Sequence, residues 1–127
     1  MAGLKEHEID EIEQALGLRL PSDVRDQYLI SNGLLGPTNS QLLYSWKEDP
    51  ETDILRHNAI RSEDWFPDTL KSVILLGNDG CGNNICYDWV TREAILWNPA
   101  DGDDVQERRP TVKELWSHIE DLYASDF

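Results

Sequence analysis

VILLGNDGCGNNICYDWVTREAILW, residues Val73 to Trp97, holds three candidate strands and decides the fold. Val73-Ile74-Leu75-Leu76 is apolar at consecutive positions and closed by Gly77, which fits a strand buried on both faces. Gly77 to Asn84 reads as a tight exposed bend, because Gly, Asn and Asp tolerate positive φ. Ile85, Tyr87 and Trp89 then alternate with Cys86 and Asp88, and Ala94-Ile95-Leu96-Trp97 follows Val90-Thr91-Arg92-Glu93. The pattern is an antiparallel hairpin.

A glycine loop also raises the question of phosphate binding. Gly80-Cys81-Gly82 lacks a third glycine and leads into a strand, whereas phosphate sites open onto a helix N-terminus. No Lys-Ser or Lys-Thr pair follows, and Asp79 would repel phosphate. No nucleotide site is expected.

Working outward, Lys5 to Leu16 carries Ile9, Ile12 and Leu16 at helical spacing, acids crowd its start, and Gly17 marks its end. Leu20-Pro21-Ser22-Asp23-Val24 places a capping Ser and a Pro at a second helix, with Val24 and Tyr28 on one face and Asn32-Gly33 as the stop. After the loop Gly36 to Ser40, Leu42, Tyr44 and Trp46 alternate with Leu43 and Ser45 as a strand, which Lys47 to Glu51 breaks. Thr52 to Ile60 is either irregular or a short helix capped by Thr52 and holding Ile54, Leu55 and Asn58; the helix is preferred. Trp65 to Leu70 bends at Pro67-Asp68 on its way into the buried strand.

Beyond Trp97, Asn98 to Asp104 is an acidic loop. Its Asp101, Asp103 and Asp104 lack the closing Glu and the glycine position of a calcium loop. Val105 to Arg108 reads as a short edge strand. Thr111-Val112-Lys113-Glu114 forms a capping box, after which Val112, Leu115, Trp116, Ile119, Leu122 and Tyr123 recur at steps of three and four. The expected architecture is α+β: one domain over residues 1–127, with a mostly antiparallel central sheet flanked by an N-terminal helix pair and a C-terminal helix.

Composition narrows the function. The chain has 127 residues, 39% of them hydrophobic, with five Trp, enough for a core without staples. The start Met1 to Glu8 turns acidic where a secretory signal would turn apolar, so a cytoplasmic protein is expected. Cys81 and Cys86 are then expected as thiols, with any redox role left open. The three His residues stand at no zinc-finger spacing, and neither metal nor cofactor is expected. With 25 acids against 11 bases the net charge is −14. That field repels nucleic acid and anionic membranes and attracts basic proteins.

Two separated motifs carry a family resemblance. Leu16-Gly17, Leu20-Pro21-Ser22-Asp23-Val24-Arg25, Tyr28-Leu29 and Asn32-Gly33 resemble the opening of the SUKH superfamily, which includes a yeast regulator of cell-wall assembly and many bacterial immunity proteins. Leu75-Leu76-Gly77-Asn78-Asp79-Gly80-Cys81-Gly82-Asn83, with a strand ending at Asp88, resembles its glycine-bearing central motif. Leu20, Pro21, Asn32, Gly33, Gly77, Gly80, Gly82 and Asp88 are the motif positions taken as structural. Val24, where relatives commonly carry an aromatic residue, and Cys81 depart from the pattern. The resemblance implies a non-catalytic α+β domain. Its bacterial members neutralise toxins, often nucleases, by direct contact, and other members are interaction modules of larger assemblies.

An enzyme would need Cys81 as nucleophile, His57 or His118 as base, and Asp79 or Asp88 as orienter. Nothing in the sequence brings these together, and no catalysis is expected. A binder would draw on the abundant acids: Glu48, Asp49, Glu51 and Asp53 around Trp46 as an aromatic anchor, and Asp101, Asp103 and Asp104. The expected function is an immunity protein that binds a basic, nuclease-type toxin, with a regulatory module of the cell-wall-assembly type as the alternative. Oligomeric state is left open.

Overall fold

A computed structural model describes residues 2–124, without the side chains of Thr38, Tyr123 and Ala124. Tyr123, expected on the apolar face of the last helix, therefore lies outside the described side chains. In chain order the elements are α1 (Glu6–Leu16), α2 (Ser22–Ile30), β1 (Leu34–Leu35), β2 (Gln41–Leu43), α3 (Ile54–Asn58), β3 (Val73–Asn78), β4 (Asn84–Asp88), β5 (Glu93–Trp97), β6 (Val105–Arg109) and α4 (Val112–Ala124). Strands β3-β4-β5-β6 form an antiparallel meander, and β1-β2 a small second sheet. The α+β architecture, with its antiparallel sheet and flanking helices, is as the sequence indicates.

Strands β3 to β5 are buried on both faces, which explains why Val73 to Leu76 is apolar at every position. Leu75, Cys86 and Ile95 form one cross-strand row and pack with Val73 and Trp97 under Phe66 and Leu70. Ile74, Tyr87 and Ala94 form the neighbouring row and point to the helices, meeting Ile9 and Ile12 of α1, Val24 and Tyr28 of α2, and Leu115, Trp116 and Ile119 of α4. Strand residues alternate between the two cores, as the pleat requires.

The outer edge of β3 is closed without a full strand. Tyr44 N donates to Leu76 O at 2.7 Å. One position back, the Asn58 side chain acts as a surrogate strand: its Oδ1 accepts from Leu75 N at 2.9 Å and its Nδ2 donates to Leu75 O at 2.8 Å. Gly77 serves the same contact. Its φ is not positive, contrary to the expectation of a conformational role. A Cβ there would run into the carbonyl oxygens of Gln41 and Leu42, so β2 lies flush against β3 only because the side chain is missing.

Other local expectations are corrected. Ser22 is the first residue of α2 and caps nothing; Pro21 holds the N-cap position, and the helix ends at Ile30 with Ser31 as C-cap, before Asn32. Asn32 is buried, and its side chain exchanges two bonds with the Trp46 backbone, at 2.9 and 2.8 Å. Alternation from Leu42 to Trp46 does not separate an inner from an outer face, since all five residues are buried and the strand stops at Leu43. The preferred helix after Thr52 exists, but Asp53 caps it, accepting from Leu55 N and Arg56 N. In the box at α4, Thr111 Oγ1 accepts from Glu114 N at 3.2 Å, while the adjacent Lys113 N goes to Asp23 of α2 at 2.8 Å.

Burial of ionisable core groups makes stability pH-dependent. Tyr28 is fully buried and donates to Tyr44 O at 2.6 Å, and burial pushes its phenol far above its ordinary value. The fully buried Cys86 thiol is pushed up by burial and then by Asp88. Both native pKa values stand above the unfolded ones, so the folded state keeps protons that the unfolded chain releases. Their stabilisation is complete below the ordinary thiol value of 9.0 and is lost as pH rises past it and then past the ordinary phenol value of 10.0. Unfolding free energies from urea titration should therefore hold steady at neutral pH and fall above pH 9, at about 1.4 kcal/mol per pH unit for each group; Cys86→Ala should delay the onset toward pH 10. Gly77→Ala should lose about 2–3 kcal/mol in the same assay through overpacking, and an unchanged midpoint would refute the close-approach reading.

Candidate functional site

Asn78, Asn84, Trp97 and Val105 define one end of the four-stranded sheet, and the acidic segments singled out in the sequence gather around it. On one side is the turn that follows Trp46. Glu48, Asp49 and Glu51 are exposed, and Asp53 is half-buried. The turn is fixed by its own carboxylates: Asp49 Oδ1 accepts from Glu51 N at 2.9 Å, and Asp53 Oδ1 accepts from Lys47 N at 2.9 Å. His57 ties it to the sheet. Its ring stacks on Tyr44 with centroids 3.8 Å apart, its Nε2 lies 2.7 Å from Glu51 O, and the Tyr44 hydroxyl accepts from Asn78 Nδ2 at 3.3 Å.

Trp46 is 6% exposed and belongs to the core, with Lys47 Nζ 4.5 Å from its ring centre. What this segment offers a partner is therefore charge, with little aromatic area. A depression of about 350 Å³ lies between Glu48, Asp49, Asp53 and Arg56. A second depression joins Glu51 and His57 to Asn84, at the start of β4.

On the other side, Asp101, Asp103 and Asp104 are exposed. Trp97 Nε1 donates to Gly102 O at 2.7 Å and so anchors their loop to β5. Asp101 accepts from Gln106 Nε2 and Asp103 from Thr69 Oγ1, both at 2.9 Å. Asp104 makes no such side-chain bond among the described residues, and neither does Glu48.

Between the two acidic segments lies the glycine loop, which is more ordered than an exposed bend. Asp79 is buried at 6% exposure. Its Oδ1 accepts from Cys81 N at 2.8 Å and Asn83 N at 3.2 Å, and its Oδ2 accepts from Asn83 Nδ2 at 2.8 Å. Gly80 and Gly82 adopt φ of 79° and 93°, so this bracket needs glycine at both positions. Asp79 therefore works as the loop's internal acceptor, a role that its place between glycines did not reveal.

The remaining motif positions lie in the core or in turns. Leu20 and Pro21 are buried, and Gly33 has φ 114° against Leu43 O. Asp88 Oδ1 accepts from Val90 N at 2.9 Å and shapes the β4–β5 turn. The groups that nucleophilic catalysis would need stand in separate settings. Cys81 is exposed on the glycine loop, His57 lies on Tyr44, and His118 Nδ1 lies 3.1 Å from Arg109 Nη2, near the contact between Arg109 and Glu107. Neither cysteine is in a disulfide. Among the described residues, no three His, Cys or carboxylate side chains converge on a position for a metal ion, and no helix is long and apolar enough to cross a membrane.

The fold and this end of it define a small α+β domain that displays fixed acidic loops around a glycine-bracketed turn. The chain belongs to the SMI1 / KNR4 family (SUKH-1), whose model matches residues 3–125. No curated protein sequence matches it. Family membership supports a non-catalytic role, either in toxin immunity or of the SMI1/KNR4 type, and implies protein partners in general.

Asp79→Ala should release the loop, leaving the Cys81 and Asn83 amides without their acceptor. A loss of about 2–3 kcal/mol is expected for several bonds to one buried carboxylate. Hydrogen exchange at those two amides should speed up well beyond the change in β4; protection equal to that of the parent would disprove the bracket.

Proposed function

We propose that this protein is a cytoplasmic immunity protein that binds a basic, nuclease-type toxin and blocks it by direct contact. The observation that carries the reading is the gathering of two exposed acidic segments, Glu48-Asp49-Glu51 and Asp101-Asp103-Asp104, around one end of the sheet. A nuclease must present a basic groove to phosphate. An acidic face opposite that groove speeds encounter and excludes the nucleic acid. The net charge of −14 works in the same direction over longer distances.

Backbone hydrogen bonds and the His57 stack hold the first segment in place, and the Trp97 indole anchors the second. Their carboxylates meet a partner with little ordering left to complete, which favours affinity. Membership in SUKH-1 supports a protein partner. The same field disfavours nucleic acid and anionic membranes as direct ligands.

The test is a pull-down with this protein as bait from cells carrying the adjacent genome segment, followed by kinetics with the captured protein at low and high salt. One basic partner, whose toxicity is relieved by co-expression, is expected. Reversing Glu48 and Glu51 to lysine, and leaving in place the Asp49 carboxylate that caps the turn, should slow association by about tenfold at low salt while keeping the unfolding midpoint near that of the parent. Undiminished association would remove this face from the reading. Several weak partners without protection would instead support the regulatory module.

A further inference from the structure

The opposite end of the sheet, where Asp88 faces Val73 and Glu93, carries a groove of different chemistry. It has a volume of about 430 Å³ and runs between the α1–α2 connection, the end of β4 and the start of α4. Tyr87 and Trp89 line it as an edge-to-face pair with centroids 4.9 Å apart. Pro21 and Pro110 give it apolar, stiff sides, and Arg19 and Arg25 supply the cations.

The two arginines differ. Arg25 is already paired, with Glu13 at 2.6 Å and Asp10 at 3.2 Å. Arg19 is exposed and has no carboxylate within ion-pair distance among the described residues. Its backbone is nevertheless fixed, since Trp89 Nε1 donates to Arg19 O at 2.7 Å. Asp23, the acid lining the groove, is committed to Lys113 N. In a chain with 25 acids and 11 bases, an unpaired arginine beside an aromatic floor, with the lining acid engaged, is charge complementarity for an anion that also carries apolar surface.

We propose that this groove seats an extended acidic segment of a partner protein, placing a carboxylate on Arg19 and an adjacent proline or aliphatic side chain on Tyr87 and Trp89. Aromatic and proline-lined grooves suit extended peptides, whose ordering cost is small when proline is present. This surface stands apart from the acidic end and does not depend on the immunity reading. The two ends would engage partners of opposite charge.

The test is amide and indole NMR on the whole protein, titrated with a blocked hexapeptide alternating aspartate and proline, the same design with lysine, and inorganic phosphate. The aspartate peptide should move the Trp89 indole N–H and the Arg19 amide, with little response to the other two probes. Arg19→Glu should weaken that peptide by about tenfold, since reversal both removes an attraction and adds a repulsion, and should gain a response to the lysine peptide. Among the described residues the Arg19 side chain makes no hydrogen bond or ion pair, so the variant's unfolding midpoint should match the parent. A silent Trp89 indole, equal responses to the two peptides, an equal response to phosphate, or undiminished affinity in Arg19→Glu would each overturn the proposal.

Discussion

The outer edge of β3 is where the two layers of the protein meet. A strand at the edge of a sheet leaves a row of polar backbone groups unpaired, and inside a core that is costly. Here the row is satisfied by unlike groups: the Asn58 side chain on Leu75 and the Tyr44 amide on Leu76. The absent side chain of Gly77 lets the second strand approach closely enough for this to happen. If Asn58 turned away, a buried amide and carbonyl would be stranded, and α3, β2 and the acidic turn that joins them would lose their reference to the sheet.

That dependence links fold to surface. Tyr44 bonds through its backbone to β3 and carries the His57 ring on its own ring. His57 in turn contacts Glu51 O. The acidic turn is thus registered to the strands by a short chain of contacts, and the second acidic loop is registered by the Trp97 indole. At the far end of the sheet, Arg108 and Arg109 are paired with Glu93 and Glu107, while Arg19 has no ion-pair partner among the described residues. Charge is therefore distributed along the strand direction, and the net value of −14 conceals two ends of different character.

Much of the fold is legible in the sequence because burial imposes periodicity. The spacing of Ile9 and Ile12, of Val24 and Tyr28, and of Val112, Leu115, Trp116 and Ile119 identifies helices, since each set must reach one core. The glycine loop between apolar runs marks the hairpin, because only a few residue types turn there. Side-chain bonding is far less legible. Ser22 and Thr52 have typical capping chemistry, yet Pro21 holds one cap position, and Asp53 takes the other with bonds to three amides. Asp23 serves a helix 90 positions away. Asn32 and Asn58 look like ordinary helix-end residues, and only the tertiary structure shows Asn58 completing the edge of β3 and Asn32 pairing with the Trp46 backbone. The candidate acids are easy to find in a chain so rich in them; that some are committed to backbone amides and others are free is visible only in three dimensions.

The terminal helix α4 carries a consequence for the order of events in the cell. Its Trp116 indole donates to Leu42 O at 2.7 Å, its first turn is held by Asp23, and its apolar face completes the core shared by α1 and α2. These contacts join α4 to segments synthesised many residues before it. The core that α1 and α2 share with α4 therefore stays incomplete until α4 itself has been made and released from the ribosome. Over that interval the acids of α1 and α2 set like charge against like charge between neighbouring chains, which opposes their association, so the charges that shape the finished surface act on the unfinished one as well.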